Sequence, residues 1–212
     1  MFKDISFSWE LLRKTLHISG LFVLILYTVL YHLFSQQVAI LAMTALLLIV
    51  LEVDYIRIEH KPKLIKIFEG IFREKEKDYL NAVVFFIISC IISFAAFDYW
   101  IAVLAMLMTV FGDAFAALFG RLFGETKIYR EKSYVGTLAG LLANVLVGFF
   151  VIPALPLLFF AMAFVASMVE MFTGKLDDNL TVPLFAGFVG QMIVYFYDLN
   201  LPQVNFSNLG LF

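Results

Sequence analysis

One cysteine and three histidines stand in this chain of 212 residues, and charge is scarce, with Asp, Glu, Lys and Arg making up 15% of it. Cys90 alone can form no intrachain disulfide, which excludes a disulfide framework and a cysteine-based zinc cluster. His17, His32 and His60 have no metal-ligand spacing. Soluble domains carry about 25% charged and roughly 45 to 50% apolar residues, whereas 63% of this chain is hydrophobic and its mean hydropathy is +0.95. These values exclude an ordinary soluble domain and predict an all-α integral membrane protein. No nucleic-acid partner is expected, and the net charge of −2 says nothing useful about partners, because in a bilayer the placement of charges matters more than their sum.

A membrane span needs about 20 mostly apolar residues at ~1.5 Å rise. Apolar runs occur at His17 to Phe34, Val38 to Val53, Leu80 to Phe97, Tyr99 to Gly120, Val135 to Ile152, Leu155 to Phe172 and Val182 to Tyr197. Seven transmembrane helices are therefore expected, in a single domain over 1–212. The first run starts from a polar, charged stretch and no small-residue cleavage site follows it, so it reads as a retained helix. Three Lys and Arg precede the first run, seven lie between the second and third, four between the fourth and fifth, and one, Lys175, between the sixth and seventh. The alternate connections have none. Basic residues bias loops toward the cytoplasm, which predicts a cytoplasmic N-terminus and places the candidate site residues at the cytoplasmic face. The connection 54–79 carries Leu64, Ile67, Phe68, Ile71 and Phe72 at helical spacing beside Lys63, Lys66, Arg73 and Lys75. That pattern fits an amphipathic helix, lying on the membrane surface or packed on the cytoplasmic end of the bundle.

Ionisable residues inside spans are costly, about 2.5 kcal/mol or more at mid-helix, so each asks for a reason. Glu10, Arg13, Lys14 and His17 share one helix face, which suits an anion or a snorkelling interfacial cluster. Asp113 follows a long apolar stretch beside the small-residue stripe Gly112, Ala116 and Gly120. The stripe admits a close neighbouring backbone, which turns Asp113 toward protein. Arg121, Lys127, Arg130 and Lys132 follow as candidate counter-cations. Lys132, Ser133, Gly136 and Thr137 gather at a helix start, where free backbone N–H groups and the dipole favour phosphate. Gly136, Gly140, Asn144 and Gly148 then form one packing seam with a single amide. Glu170 closes the sixth span. Thr181 as N-cap and Pro183 in the first turn would leave Asp177, Asp178 and Asn179 in a loop, where their oxygens suit a hard cation such as Mg²⁺ or Asx turns. Carboxylates, basic residues and helix N-termini on one membrane face describe a metal-nucleotide site for phosphoryl transfer. The soluble signatures Gly-x-x-x-x-Gly-Lys-Ser/Thr, Gly-x-Gly-x-x-Gly and His-Arg-Asp are absent.

Four segments in order resemble the CTP-dependent lipid-alcohol kinases, the family of dolichol, phytol and farnesol kinases and CTP-using diacylglycerol kinases. They are Glu10-x-x-Arg13-Lys14-x-x-His17-x-x-Gly20; Phe111-Gly112-Asp113-x-x-Ala116-x-x-x-Gly120-x-x-x-Gly124; Lys132-Ser133-x-x-Gly136-Thr137-x-Ala139-Gly140; and Glu170 with Asp177-Asp178-Asn179-Leu180-x-Val182-Pro183. The resemblance implies transfer of the γ-phosphate of CTP, with Mg²⁺ or a similar ion, to the hydroxyl of a membrane lipid alcohol. It assigns Asp113, Asp177 and Asp178 to metal binding or base chemistry, with Glu170 joining the metal set. Lys132, Ser133, Gly136 and Thr137 take the triphosphate, joined by Gly112, Arg121 and Asn179. Arg13, Lys14 and His17 contact phosphate or substrate. The chain's modest length looks more like the phytol or prokaryotic polyprenol branch. A cytidylyltransferase forming a CDP-lipid would have a similar site, and a transporter would use Asp113 and the glycine stripes for alternating access.

Overall fold

The computed structural model describes residues 20–60, 80–129, 132–174 and 176–202. These residues form seven helices and one short hairpin. The helices are α1 (Gly20–Leu33), α2 (Gln36–His60), α3 (Ala82–Ala96), α4 (Tyr99–Phe123), α5 (Tyr134–Val151), α6 (Pro156–Phe172) and α7 (Asp178–Tyr197). The strands β1 (Lys127–Tyr129) and β2 (Lys132–Ser133) pair antiparallel between α4 and α5, in a connection where the apolar runs gave no sign of strand. Helices α2, α4, α5 and α7 are long and apolar enough to cross a bilayer, while α1, α3 and α6 are apolar but shorter.

Helix α4 is the axis of the bundle. Of its most apolar stretch 61% is buried, against 17% for α2, because α4 lends residues to both cores. On one side Ile101, Leu104 and Met108 meet Leu158 and Met162 of α6 and Val182 and Ala186 of α7. On the other, Val103, Met106 and Val110 meet Leu24 and Tyr27 of α1, Met43 of α2, and Phe86 and Phe94 of α3. The outward positions are apolar as well, including Leu41, Leu48, Leu142, Phe150 and Tyr195, which gives the bundle an outer surface suited to lipid.

The seam between α4 and α5 is as the small residues predict. A Cβ placed on Gly136 would stand 2.7 Å from the Ala116 carbonyl oxygen and 3.0 Å from Gly120 Cα. Only a glycine admits backbone that close. Gly136, Gly140 and Asn144 are buried along this seam, whereas Gly148, expected to continue it, is buried against Phe159 of α6.

Two helices depart from their expected bounds. Helix α2 continues to His60 although hydropathy ends the span at Val53, so the connection expected over 54–79 begins later. Asp54 and Arg57 are both buried and pair at i, i+3, with Nε 2.8 Å from Oδ1, so the helix carries no net charge from this turn. The other Asp54 oxygen accepts from the Asn81 N–H at 2.7 Å, tying the end of α2 to the start of α3. The amphipathic segment Leu64 to Lys75 lies outside the described residues. Helix α7 begins at Asp178, not after Thr181, because Asp177 serves as its N-cap and accepts the Asn179 N–H at 3.0 Å. Asp178 and Asn179 therefore occupy the first helical turn instead of a loop, and Pro183 lies inside the helix.

Candidate functional site

At one end of the bundle the C-terminal ends of α4 and α6 meet the N-terminal ends of α5 and α7. The alternation of helix directions dictates this, and two close contacts fix it. Strand β2 brings Lys132 to the end of α6, where Nζ lies 3.0 Å from Glu170 Oε1 and 3.8 Å from Asp178 Oδ2 of α7. Across the α6–α7 connection, the hydroxyls of Thr173 and Thr181 are 3.1 Å apart.

Three of the four charged groups are well enclosed. Asp113 is buried on α4, and the side chains of Glu170 and Asp178 are 8% and 14% exposed, against 31% for Lys132. Burial works against the Lys132 charge. The carboxylates of Glu170, Asp178 and Asp113 outweigh it and hold the ammonium above its ordinary value of 10.5. Three carboxyl groups thus gather around one ammonium.

Glycine again makes the geometry. A Cβ on Gly140 would come within 3.1 Å of the Ala116 methyl and 3.2 Å of the Gly112 carbonyl oxygen, and Glu170 Oε2 lies 3.6 Å from the same point, which sets Glu170 beside α5 where α5 packs on α4. One turn deeper, Asn144 of α5 donates to Ser167 Oγ of α6 at 3.1 Å. Its amide lies over Gly112, where a Cβ would be 2.7 Å from Oδ1. Asn144 thus touches the residue beside Asp113 and bonds the residue one turn before Glu170. Sequence reading recognised this amide only as part of a packing seam, and Ser167 gave no signal among its apolar neighbours.

The helix start at Ser133 is already occupied by the chain itself. Ser133 Oγ accepts the Gly136 N–H at 3.1 Å, and the Tyr134 N–H goes to the Thr126 carbonyl at 3.3 Å. Ser133 is buried beneath Gly120 and Gly124. Its hydroxyl therefore caps α5, and fewer N–H groups face a phosphate than the sequence pattern implies. Thr137 is half-buried one turn on. Arg121 lies exposed on the last turn of α4. Asp177 is engaged as the α7 cap and also accepts from Asn179 Nδ2 at 2.8 Å. Arg13, Lys14 and His17 lie outside the described residues, as does Glu10.

Among the described residues no three His, Cys, Asp or Glu side chains are grouped to cage a metal ion. Mg²⁺ does not require such a cage, since it takes one or two carboxylates and fills its shell with water and phosphate oxygens. Glu170 and Asp178 are hard donors of the right kind. Next to Asp178 in the chain, Asn179 Oδ1 is buried without a hydrogen-bond partner among the described residues, a state that ordinarily costs stability. The donor set fits a magnesium ion held jointly with a ligand.

No family model, no curated protein and no solved structure matches this chain.

Proposed function

We propose that this protein is a seven-span integral-membrane kinase that transfers the γ-phosphate of CTP to the hydroxyl of a membrane lipid alcohol, such as phytol, farnesol, a polyprenol or diacylglycerol. The observation that carries the reading is the bridge of Lys132 between Glu170 and Asp178, with the Asp113 carboxylate in electrostatic reach. Buried charge of this kind inside an apolar bundle is expensive and marks function by default. The four ordered motifs supply the base and the acceptor, which charge alone cannot name.

Support for the orientation comes from the basic residues, which fall in alternate connections only. The cluster then faces the cytoplasm, where nucleotide is supplied. The alcohol reaches the same level within the bilayer, its tail among the helices and its hydroxyl at the headgroups.

In the reaction, the alcohol oxygen forms a bond to the γ-phosphorus as the bond from that phosphorus to the β–γ bridging oxygen breaks. CDP leaves, and the alcohol proton passes to a carboxylate, for which Asp113, Asp177 and Asp178 are the candidates. Mg²⁺ when bound neutralises phosphate charge. Glu170 and Asp178 would hold it, with Asp113 completing the negative field. Lys132 neutralises phosphate charge as a point charge. Helix α4, packed against both cores, fixes Asp113, so that positioning supplies much of the rate.

The test is the identity of the released nucleotide product. Purified protein with CTP, Mg²⁺ and each alcohol should yield CDP in step with phosphorylated lipid. Pyrophosphate release with a phospholipid acid would instead establish the cytidylyltransferase.

A further inference from the structure

We propose that Lys132 is a built-in counter-cation that holds the divalent-metal position of this site until a nucleotide's phosphates draw it away, so that metal and triphosphate bind together and metal alone binds weakly. This rests on the metal-nucleotide reading above and adds to it an order of binding.

The ammonium bridges carboxylates from two helices, Glu170 of α6 and Asp178 of α7. Mg²⁺ binds oxygen at about 2.0–2.1 Å, so a shared ion must draw the two carboxylates closer than an ammonium at 3.0 and 3.8 Å does. Ion and ammonium therefore compete for one place. Lys132 can leave it cheaply. It stands on β2, outside the helices, on a flexible four-carbon stem, so its head can move while α6 and α7 stay packed. What it needs is another anion, and the triphosphate supplies one.

Each ligand consequently lowers the cost of the other. An arriving cation displaces the ammonium, which without phosphate has lost its partners. An arriving triphosphate draws the ammonium off the carboxylates, leaving them to the cation. Linkage makes the effect reciprocal. In the resting protein the same lysine keeps buried carboxylates from standing uncompensated in the membrane.

The experiment measures Mn²⁺ binding by electron paramagnetic resonance on the full chain in detergent, with and without CTP, corrected for Mn²⁺ held by free CTP. Wild-type protein should bind Mn²⁺ weakly alone and at least about tenfold more tightly with CTP, within the usual range of coupling between sites. Lys132→Met should bind Mn²⁺ alone at least about tenfold more tightly than wild type, by the same coupling. Adding Glu170→Gln to that variant should weaken binding again, and Lys132→Arg, which keeps the cation, should leave Mn²⁺ binding weak. Thermal melts establish that each variant is folded. An unchanged or weaker Mn²⁺ affinity in folded Lys132→Met overturns the proposal. So does a wild-type affinity that is the same with and without CTP, a result that needs no variant. Failure of the kinase reading looks different: no phosphate reaches any alcohol, while Mn²⁺ binding still tightens when Lys132 is removed.

Discussion

Gly136→Ala should destabilise the protein where the neighbouring Gly140→Ala hardly does, because the two glycines face different obstacles. At Gly136 the new methyl meets backbone on both counts, the Ala116 carbonyl oxygen at 2.7 Å and Gly120 Cα at 3.0 Å. Ordinary contact begins near 3.4 Å, so α4 and α5 must part by about 0.7 Å. Overpacking of this kind costs about 1–3 kcal/mol, and a rigid backbone obstacle places it toward the upper end. Gly136 stands in the first turn of α5, so replacing it by alanine returns less than the ~1 kcal/mol of helix propensity that an interior glycine would. The net loss is about 1–2 kcal/mol, or a Tm lower by roughly 3–6 °C for a chain of this size. At Gly140 the contacts are 3.1 Å to the Ala116 methyl and 3.2 Å to the Gly112 carbonyl oxygen, so a shift of a few tenths of an ångström suffices and the propensity gain offsets it. Scanning fluorimetry in detergent reads both variants side by side. A Gly136→Ala protein as stable as Gly140→Ala would refute the claim that α4 and α5 touch backbone to backbone at this level.

Other perturbations reach the site directly. Asp113→Asn should abolish phosphate transfer while the protein still purifies with a wild-type melting profile, and near-normal turnover would remove Asp113 from the reaction. Gly112→Ala should cost stability because its methyl meets the Asn144 amide at 2.7 Å, and the same change should cost markedly less in an Asn144→Ala background. Equal costs in the two backgrounds, read as thermal shifts, would show that the amide does not lie over Gly112. Asp177→Ala removes the cap of α7 and should lower stability by about 1 kcal/mol, whereas Asp178→Ala, which removes no cap, should not match that loss through the same mechanism. Circular dichroism melts would show an unchanged Tm for Asp177→Ala if another residue caps the helix.

The parts of the architecture that were legible in the sequence are those set by periodicity. Gly112, Ala116 and Gly120 stand four apart, as do Gly136 and Gly140, and residues so spaced share one helix face. Their close approach and the burial of Asp113 beside them follow from that spacing. Hydropathy located the apolar helices, yet it counts charges singly. It could not register that Asp54 and Arg57 cancel each other and let α2 run on to His60. The start of α7 was misplaced for a related reason. Asp177 and Thr181 are both good capping residues, and the choice of Asp177 depends on its bonds to Asn179, which spacing does not specify. At the candidate site, the gathering of Lys132, Glu170 and Asp178 could be anticipated from topology. The direct bridge among them, the use of Ser133 as a cap and the link from Asn144 to Ser167 depend on side-chain direction in the folded bundle.

The central claim is tested most directly by following the γ-phosphate. Purified protein is incubated with Mg²⁺ and γ-labelled CTP or ATP, in parallel, with phytol, farnesol, a longer polyprenol and diacylglycerol, and the label is sought in the organic phase. The account predicts label in a lipid product from CTP, and none from the Asp113→Asn protein. Folded protein that binds CTP yet passes no label to any of these alcohols would contradict it.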